Sequence, residues 1–167
     1  MRALILVVMT LALSACATVQ KLSAAGDVHA LLIAIRDDDR ATFDSLVDRD
    51  ALKRELQGRL VAEARKDSRI PAALAAVLAP ALADMASDTV IQPRVFRSVA
   101  EYYGYKPETK IPGPLGISAA LRQLPDGRVC AVKSKDGPCL MTFTHAADGH
   151  WKLSGFEGDT SMLRLKG

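Results

Sequence analysis

The chain has 167 residues, 49% of them hydrophobic but only 5% aromatic, so its core must be mostly aliphatic. Lys and Arg number 22 against 19 Asp and Glu, a formal net charge of +3. That excess is spread along the chain and makes no basic stripe, which argues against nucleic-acid binding. The length suits one ordinary domain with a single core.

The chain opens MRALILVVMTLALSAC. Arg2 is the only charge before Lys21, and Ala3 to Ala15 is apolar or small. A positive start, a short apolar run and small residues at its end are the marks of a secretory signal peptide. The run falls short of the roughly 20 residues that span a bilayer comfortably. Its end, Leu13-Ser14-Ala15-Cys16, resembles the lipobox of bacterial lipoproteins. That resemblance implies cleavage before Cys16, a thioether from its thiol to diacylglycerol, and acylation of the freed amine. Each buried methylene contributes about 0.8 kcal/mol, so two or more chains hold stably where one holds marginally. The rival is cleavage after Ala17, because Ala15-Cys16-Ala17 also fits the small-x-small pattern. Ala17 rather than Asp after the cysteine favours, by resemblance, the periplasmic face of the outer membrane.

The expected organisation is a signal peptide over 1–15, a lipidated tether over 16–26 and a single α+β domain over 27–167. The tether is small and polar and would reach at most about 35 Å. Asp27 reads as an N-cap, followed by Val28, Leu31, Leu32 and Ile35 at helical spacing. Asp37-Asp38-Asp39 ends this helix. A short helix over 40–47 would bury Phe43, Leu46 and Val47. Asp50 reads as the cap of a third helix with Leu52, Leu56, Leu60 and Ala64 on one stripe. The other faces of that helix, with Lys53, Arg54, Glu55, Arg59, Glu63, Arg65 and Lys66, read as solvated surface. Pro71 suits the start of a fourth helix carrying Leu74, Val77, Leu78, Ala81, Leu82 and Met85, kinked at Pro80. Pro93 opens a fifth, with Val95, Phe96, Val99 and Tyr103 inward and a stop at Gly104. The stretch from Lys106 to Gly116 reads as a connector.

The period then changes from 3.6 to 2, and four strands are expected over 117–124, 128–134, 139–145 and 150–156. Pro125-Asp126-Gly127, Lys135-Asp136-Gly137 and Ala147-Asp148-Gly149 suit three-residue hairpin loops with a left-handed glycine. At the last turn, a two-residue loop would pair Phe143 with Ser154. A three-residue loop pairs Phe143 with Leu153, His145 with Trp151 and Met141 with Gly155. It gathers the large apolar groups on one face and is the expected register.

Lipidation of Cys16 leaves Cys130 and Cys139 as an even pair in an oxidising compartment. A bridge closing about ten residues would contribute roughly 2.5–3 kcal/mol in the loop-entropy model. Parity favours the bridge, but register resists it. A three-residue middle loop sets Cys130 opposite Thr142 and Cys139 opposite Lys133, outside the roughly 4.4–6.8 Å Cα window. Pro138 lacks the amide that would close a tight Asp136-Gly137 turn, so a wider loop pairing the two cysteines also stands.

An N-terminal helix, Phe43 with Leu46-Val47-Asp48, Ala51-Leu52-Lys53 with Leu56 and Leu60, and a final Trp151-Lys152-Leu153 strand together resemble a bacterial family. It is domain of unknown function number twenty-nine thirty-nine. The resemblance spans about Val28 to Phe156. The chain departs from it at Val28-His29, where members often carry an aromatic, and at Arg49-Asp50, where they often carry Phe-Pro. It implies an exported or membrane-attached protein and brings no catalytic residue.

His145, Asp148 and His150 gather at the last hairpin and offer metal ligands. Asp148 is explained as a turn former, however, and no metal or other cofactor is expected. Asp37-Asp38-Asp39 lacks the spaced oxygen ligands of a calcium loop. Tyr102, Tyr103 and Tyr105 offer a ligand mouth, with Tyr103 read as core, and Trp151 reads as a core anchor. No nucleophile elbow, phosphate loop or paired zinc histidines occur.

The expected fold is α+β, with N-terminal helices on one face of a C-terminal four-stranded antiparallel meander. Its particular form would be a cup similar to nuclear-transport-factor-like domains, able to hold a small apolar ligand. The expected function is a non-catalytic envelope lipoprotein. It would be bound to the membrane through Cys16 and partnered with an envelope protein or a small apolar ligand, and not with nucleic acid. The alternative is a periplasmic hydrolase with a non-motif active site.

Overall fold

The computed structural model describes residues 2–64, 80–81, 84, 89–102, 104–134 and 136–156. Side chains before residue 18 lie outside this description, as does most of the expected fourth helix with Pro71, Leu74, Val77, Leu78, Leu82 and Met85. The described helices are α1 (Arg2–Asp37), α2 (Arg40–Ser45), α3 (Arg49–Ala64), α4 (Pro93–Tyr102) and α5 (Pro114–Ala119). The strands are β1 (Leu121–Gln123), β2 (Val129–Val132), β3 (Cys139–His145) and β4 (Trp151–Phe156). They form one antiparallel meander in the order β1-β2-β3-β4. The fold is therefore α+β, helices first and sheet last.

The segment expected as a tether is helical. Helix α1 continues unbroken through residues 16–26 and does not begin at Asp27. Ala24 and Ala25 are completely buried, and Val28, Leu31 and Ala34 follow them into the core at helical spacing. Alanine is the strongest helix former and lets a neighbouring backbone approach closely. Here α1 packs along α5 and the sheet, so small residues that suggested a flexible tether instead make a contact face. The helix ends at Asp38, which takes a left-handed φ of 57°.

Asp39 then caps α2, its carboxylate accepting from Thr42 N–H at 3.1 Å and Thr42 Oγ1 at 2.6 Å. Helix α2 is shorter than expected, because Leu46 and Val47 leave it to pair with β4. Leu153 N–H donates to Leu46 O, Asp48 N–H donates to Leu153 O, and Val47 bridges Leu153 in parallel. This link covers the outer edge of β4, which would otherwise present unpaired amides. The cap of α3 is Asp48 rather than Asp50, since the Asp48 carboxylate accepts from Ala51 N–H at 2.9 Å.

The first expected strand starts as a helix over its first three residues, and only Leu121–Gln123 pairs in the sheet. Gly113 takes an extended backbone, Pro114 supplies the first helical turn, and Ile117 N–H donates to Gly113 O. Proline at this position is already set for a helix. Ile117 and Leu121 are both buried, four residues apart, so the helical period reaches to the start of β1. On α4, Phe96 meets Phe43 edge to face at 5.4 Å. Val99 was expected inward, yet it is 42% exposed.

The inward face of the sheet carries Leu121, Val129, Phe143, Trp151 and Leu153, which form one buried cluster with α1, Phe43, Leu46, Val47 and Leu52. Fully burying one such side chain contributes about 1.5–3 kcal/mol. Phe143 pairs with Leu153 and His145 with Trp151, as the three-residue loop requires, and Gly149 has φ +88°. Met141 pairs with Phe156 and not with Gly155, because a bulge at Ser154 shifts the far end of the strand. The Ser154 hydroxyl lies 2.7 Å from Thr144 Oγ1 and donates to Thr142 O at 3.3 Å.

A second bulge, at Leu140, reconciles the two arguments about the cysteines. Cys130 does stand opposite Thr142, but Cys139 stands opposite Val132. The extra residue draws Cys139 back until its Cα is 5.5 Å from that of Cys130, and their sulfurs are bonded. Gly137 has no left-handed φ, unlike Gly127 and Gly149. It is required for a different reason: a Cβ there would lie 2.7 Å from Ser134 Oγ.

Candidate functional site

The densest polar constellation joins the β3–β4 hairpin to α1 and to the start of α3. Asp27, expected as a cap, lies inside α1 and reaches across to the hairpin. Its Oδ2 accepts from Trp151 N–H at 2.7 Å, and its Oδ1 lies 3.1 Å from His150 Nδ1. Asp27 is largely shielded, whereas the His150 ring is half exposed. His145 packs edge to face on Trp151 at 5.1 Å, which makes Trp151 a core anchor with one histidine as its rim. His29, two residues beyond Asp27 on α1, donates through Nδ1 to Pro112 O at 2.9 Å.

Asp148 closes the turn by accepting from His150 N–H at 3.2 Å, and it pairs with Lys152 at 2.6 Å. The Lys152 ammonium, then the His150 amide, hold the Asp148 carboxyl below its ordinary range. Beside this hairpin lies an open groove of about 460 Å³ lined by Val47, Asp48, Arg49, Asp50, Ala146 and Lys152. Four of the six are charged. Such a lining suits polar groups of a peptide or protein surface and not an enclosed apolar ligand. Arg49 already binds Asp44 and donates to Ile91 O at 3.0 Å, and Asp48 caps α3. These charges hold the chain's own backbone in place.

Glu55 and Arg59 were read as solvated surface of α3, but they fasten the end of β4. Glu55 Oε2 accepts from Phe156 N–H at 3.1 Å, while Oε1 accepts from Arg59 Nε at 3.0 Å. Arg59 also donates to Phe156 O, and its guanidinium lies 4.6 Å from the ring centroid. A Cβ on Gly155 would lie 2.7 Å from Glu55 Oε2, so glycine leaves room for the carboxylate. Periodicity could not find this pair, because a salt bridge at i,i+4 reads the same whether it faces water or a strand end.

The sheet's other face has its own cation. Arg122 donates to Gly137 O at 3.1 Å and approaches the sulfurs of Cys139 and Cys130 at 3.6 and 4.0 Å. Of the tyrosines, Tyr102 is 71% exposed and the Tyr105 hydroxyl is buried without a partner among the described residues. Tyr103 lies outside the described residues. Neither Tyr102 nor Tyr105 lines the hairpin groove. Among the described residues, no three His, Cys, Asp or Glu stand where they would hold a metal ion, and no helix is long and apolar enough to cross a membrane.

No curated protein and no solved structure matches the chain. A family model described as protein of unknown function (DUF2939) matches residues 4–99, from the first residues of α1 into α4 and short of the sheet. That match covers more than half of the chain, which belongs to this family.

Proposed function

We propose that the protein is a non-catalytic envelope lipoprotein, anchored through Cys16 at the periplasmic face of the membrane and presenting its body to an envelope protein. The observation that carries this reading is the Leu13-Ser14-Ala15-Cys16 sequence behind a short apolar run. Its support in the body is that Asp48, Arg49 and Lys152 around the groove bind neighbouring groups of the chain. A groove rimmed by fixed charges is a surface for recognition by charge complementarity. Cys16→Ala should move the protein from the membrane pellet to the soluble fraction, and unchanged sedimentation would contradict anchoring. Chemical cross-linking of the native protein should capture one stoichiometric partner. Arg49→Gln with Lys152→Gln should weaken that capture, with the fold of the variant checked by circular dichroism because Arg49 also holds Ile91 O.

A second reading, a periplasmic hydrolase, draws on the 3.1 Å approach of Asp27 Oδ1 to His150 Nδ1. A carboxylate on Nδ1 orients an imidazole so that Nε2 can move a proton. Hydrolysis of activated esters above background, lost in His150→Gln, is the result that reading requires. The absence of turnover by the unmodified protein would end it.

A further inference from the structure

We infer that α1 is a rigid stalk that fixes the height and orientation of the body over the bilayer, with Val19 and Leu22 at the headgroup layer. This rests on the lipid-anchored reading. Helix α1 passes through Cys16 without interruption and enters the core at Ala24. At 1.5 Å per residue, the first completely buried side chain stands about 12 Å from the lipidated residue. A disordered segment of the same length would let the body swing freely, and a helix does not.

Two contacts keep the stalk from pivoting against the sheet. The Gln20 side chain accepts from that of Gln123 on β1, and Asp27 binds the Trp151 amide on β4. They lie about 10 Å apart along the helix axis, so the sheet is tied to α1 at two heights. Between them Ala24 and Ala25 are shut into the core.

Two large apolar side chains stand exposed where the stalk would meet the bilayer, beside exposed Thr18 and Ser23. Val19 is 67% exposed and Leu22 is 44% exposed, three residues apart and so on one face of the helix. They lie about 4.5 and 9 Å beyond Cys16. The headgroup layer is about 5–8 Å thick on each side of the hydrocarbon core. Val19 therefore falls inside that layer and Leu22 at its outer margin, and Gln123 of β1, beside Gln20, stands at the same depth.

The same axis assigns the body a lower and an upper end. The chain runs from Pro112 beside His29 to Gln123 beside Gln20, antiparallel to α1. The β1–β2 turn that follows, with Pro125, Asp126 and Gly127, continues toward the bilayer. Helix α2 starts after the far end of α1, about 30 Å from Cys16.

The test uses the full lipidated chain in phosphatidylethanolamine–phosphatidylglycerol vesicles that carry a headgroup spin label. Pro125→Cys and Ala41→Cys each receive a fluorophore, with Cys16 acylated and Cys130 and Cys139 bridged. Quenching by the headgroup label should be several-fold stronger at position 125 than at position 41. Inserting eight Gly-Ser residues after Leu22 should bring the two positions to equal quenching. Equal quenching without the insertion, on vesicle-bound protein of verified lipid mass, would overturn the stalk and leave anchoring intact. A difference that survives the insertion would also overturn it, because orientation would then not depend on the helix. A chain without lipid mass, or one that does not sediment with vesicles, would overturn anchoring and the stalk together.

Discussion

The two long hairpins of the sheet are held by different means. Between β2 and β3 the tie is covalent, the Cys130–Cys139 bridge, with Arg122 against its sulfurs. Between β3 and β4 there is no such tie. That hairpin is fastened by Asp27 from α1, by the Leu46–Asp48 link, and by Glu55 and Arg59 from α3. The first pairing carries its own covalent tie, whereas the second is fastened by α1, by α3 and by the link between α2 and α3. The β3–β4 hairpin thus couples the helical half to the sheet, and the β2–β3 hairpin carries the covalent bridge.

Phe143 belongs to both regions, since it pairs with Val129 on one side and Leu153 on the other and is 2% exposed. Phe143→Ala should cost about 3–5 kcal/mol in urea unfolding, through lost burial and the cavity left behind. A loss under about 1 kcal/mol would place the shared core elsewhere. The bridge comes next. Cys130→Ala with Cys139→Ala should cost roughly 2.5–3 kcal/mol, and reductant should then have no further effect on the variant. Glu55→Ala should cost about 1–3 kcal/mol by leaving the Phe156 amide and Arg59 without their acceptor. If the two hairpins are independent, the bridge and Glu55 losses should add within about 0.5 kcal/mol in the combined variant.

Much of this division was legible beforehand, and the failures share a cause. Where burial follows one period, the sequence suffices: β3 begins and ends where its alternation does, and Phe143 pairs with Leu153 because no other register collects the apolar groups. It fails where a neighbour decides. Ala24 and Ala25 look like tether residues until α5 lies against them. Glu55 looks solvated until the end of β4 arrives. The 114–119 helix was hidden by its prolines and glycines, although Pro114 and the Ile117–Leu121 spacing were the signals that would have found it. The bulge at Leu140, which lets the cysteines meet, has no local signature.

Gly26 lies inside α1, and a Cβ there meets nothing within 4 Å. Gly26→Ala should therefore stabilise the protein by about 0.5–1 kcal/mol. A free tether at this position would leave thermal unfolding unchanged. In the β3–β4 turn, Asp148 titrates below the ordinary carboxylate range because Lys152 and the His150 amide bind its ionised form. Its contribution is complete above the unfolded value of about 3.9 and is lost as pH falls through the lowered folded value. Parent and Asp148→Asn should differ at neutral pH and converge in acid, as read by unfolding midpoints across that range. A gap that stays constant with pH would contradict this.

The most direct measurement is the intact mass and first residue of the native protein extracted from membranes in detergent. A lipid-anchored protein gives a chain that begins at Cys16 and carries the added mass of diacylglycerol and an amide-linked acyl group. A chain that begins at any other residue, or one that begins at Cys16 without that mass, would contradict anchoring.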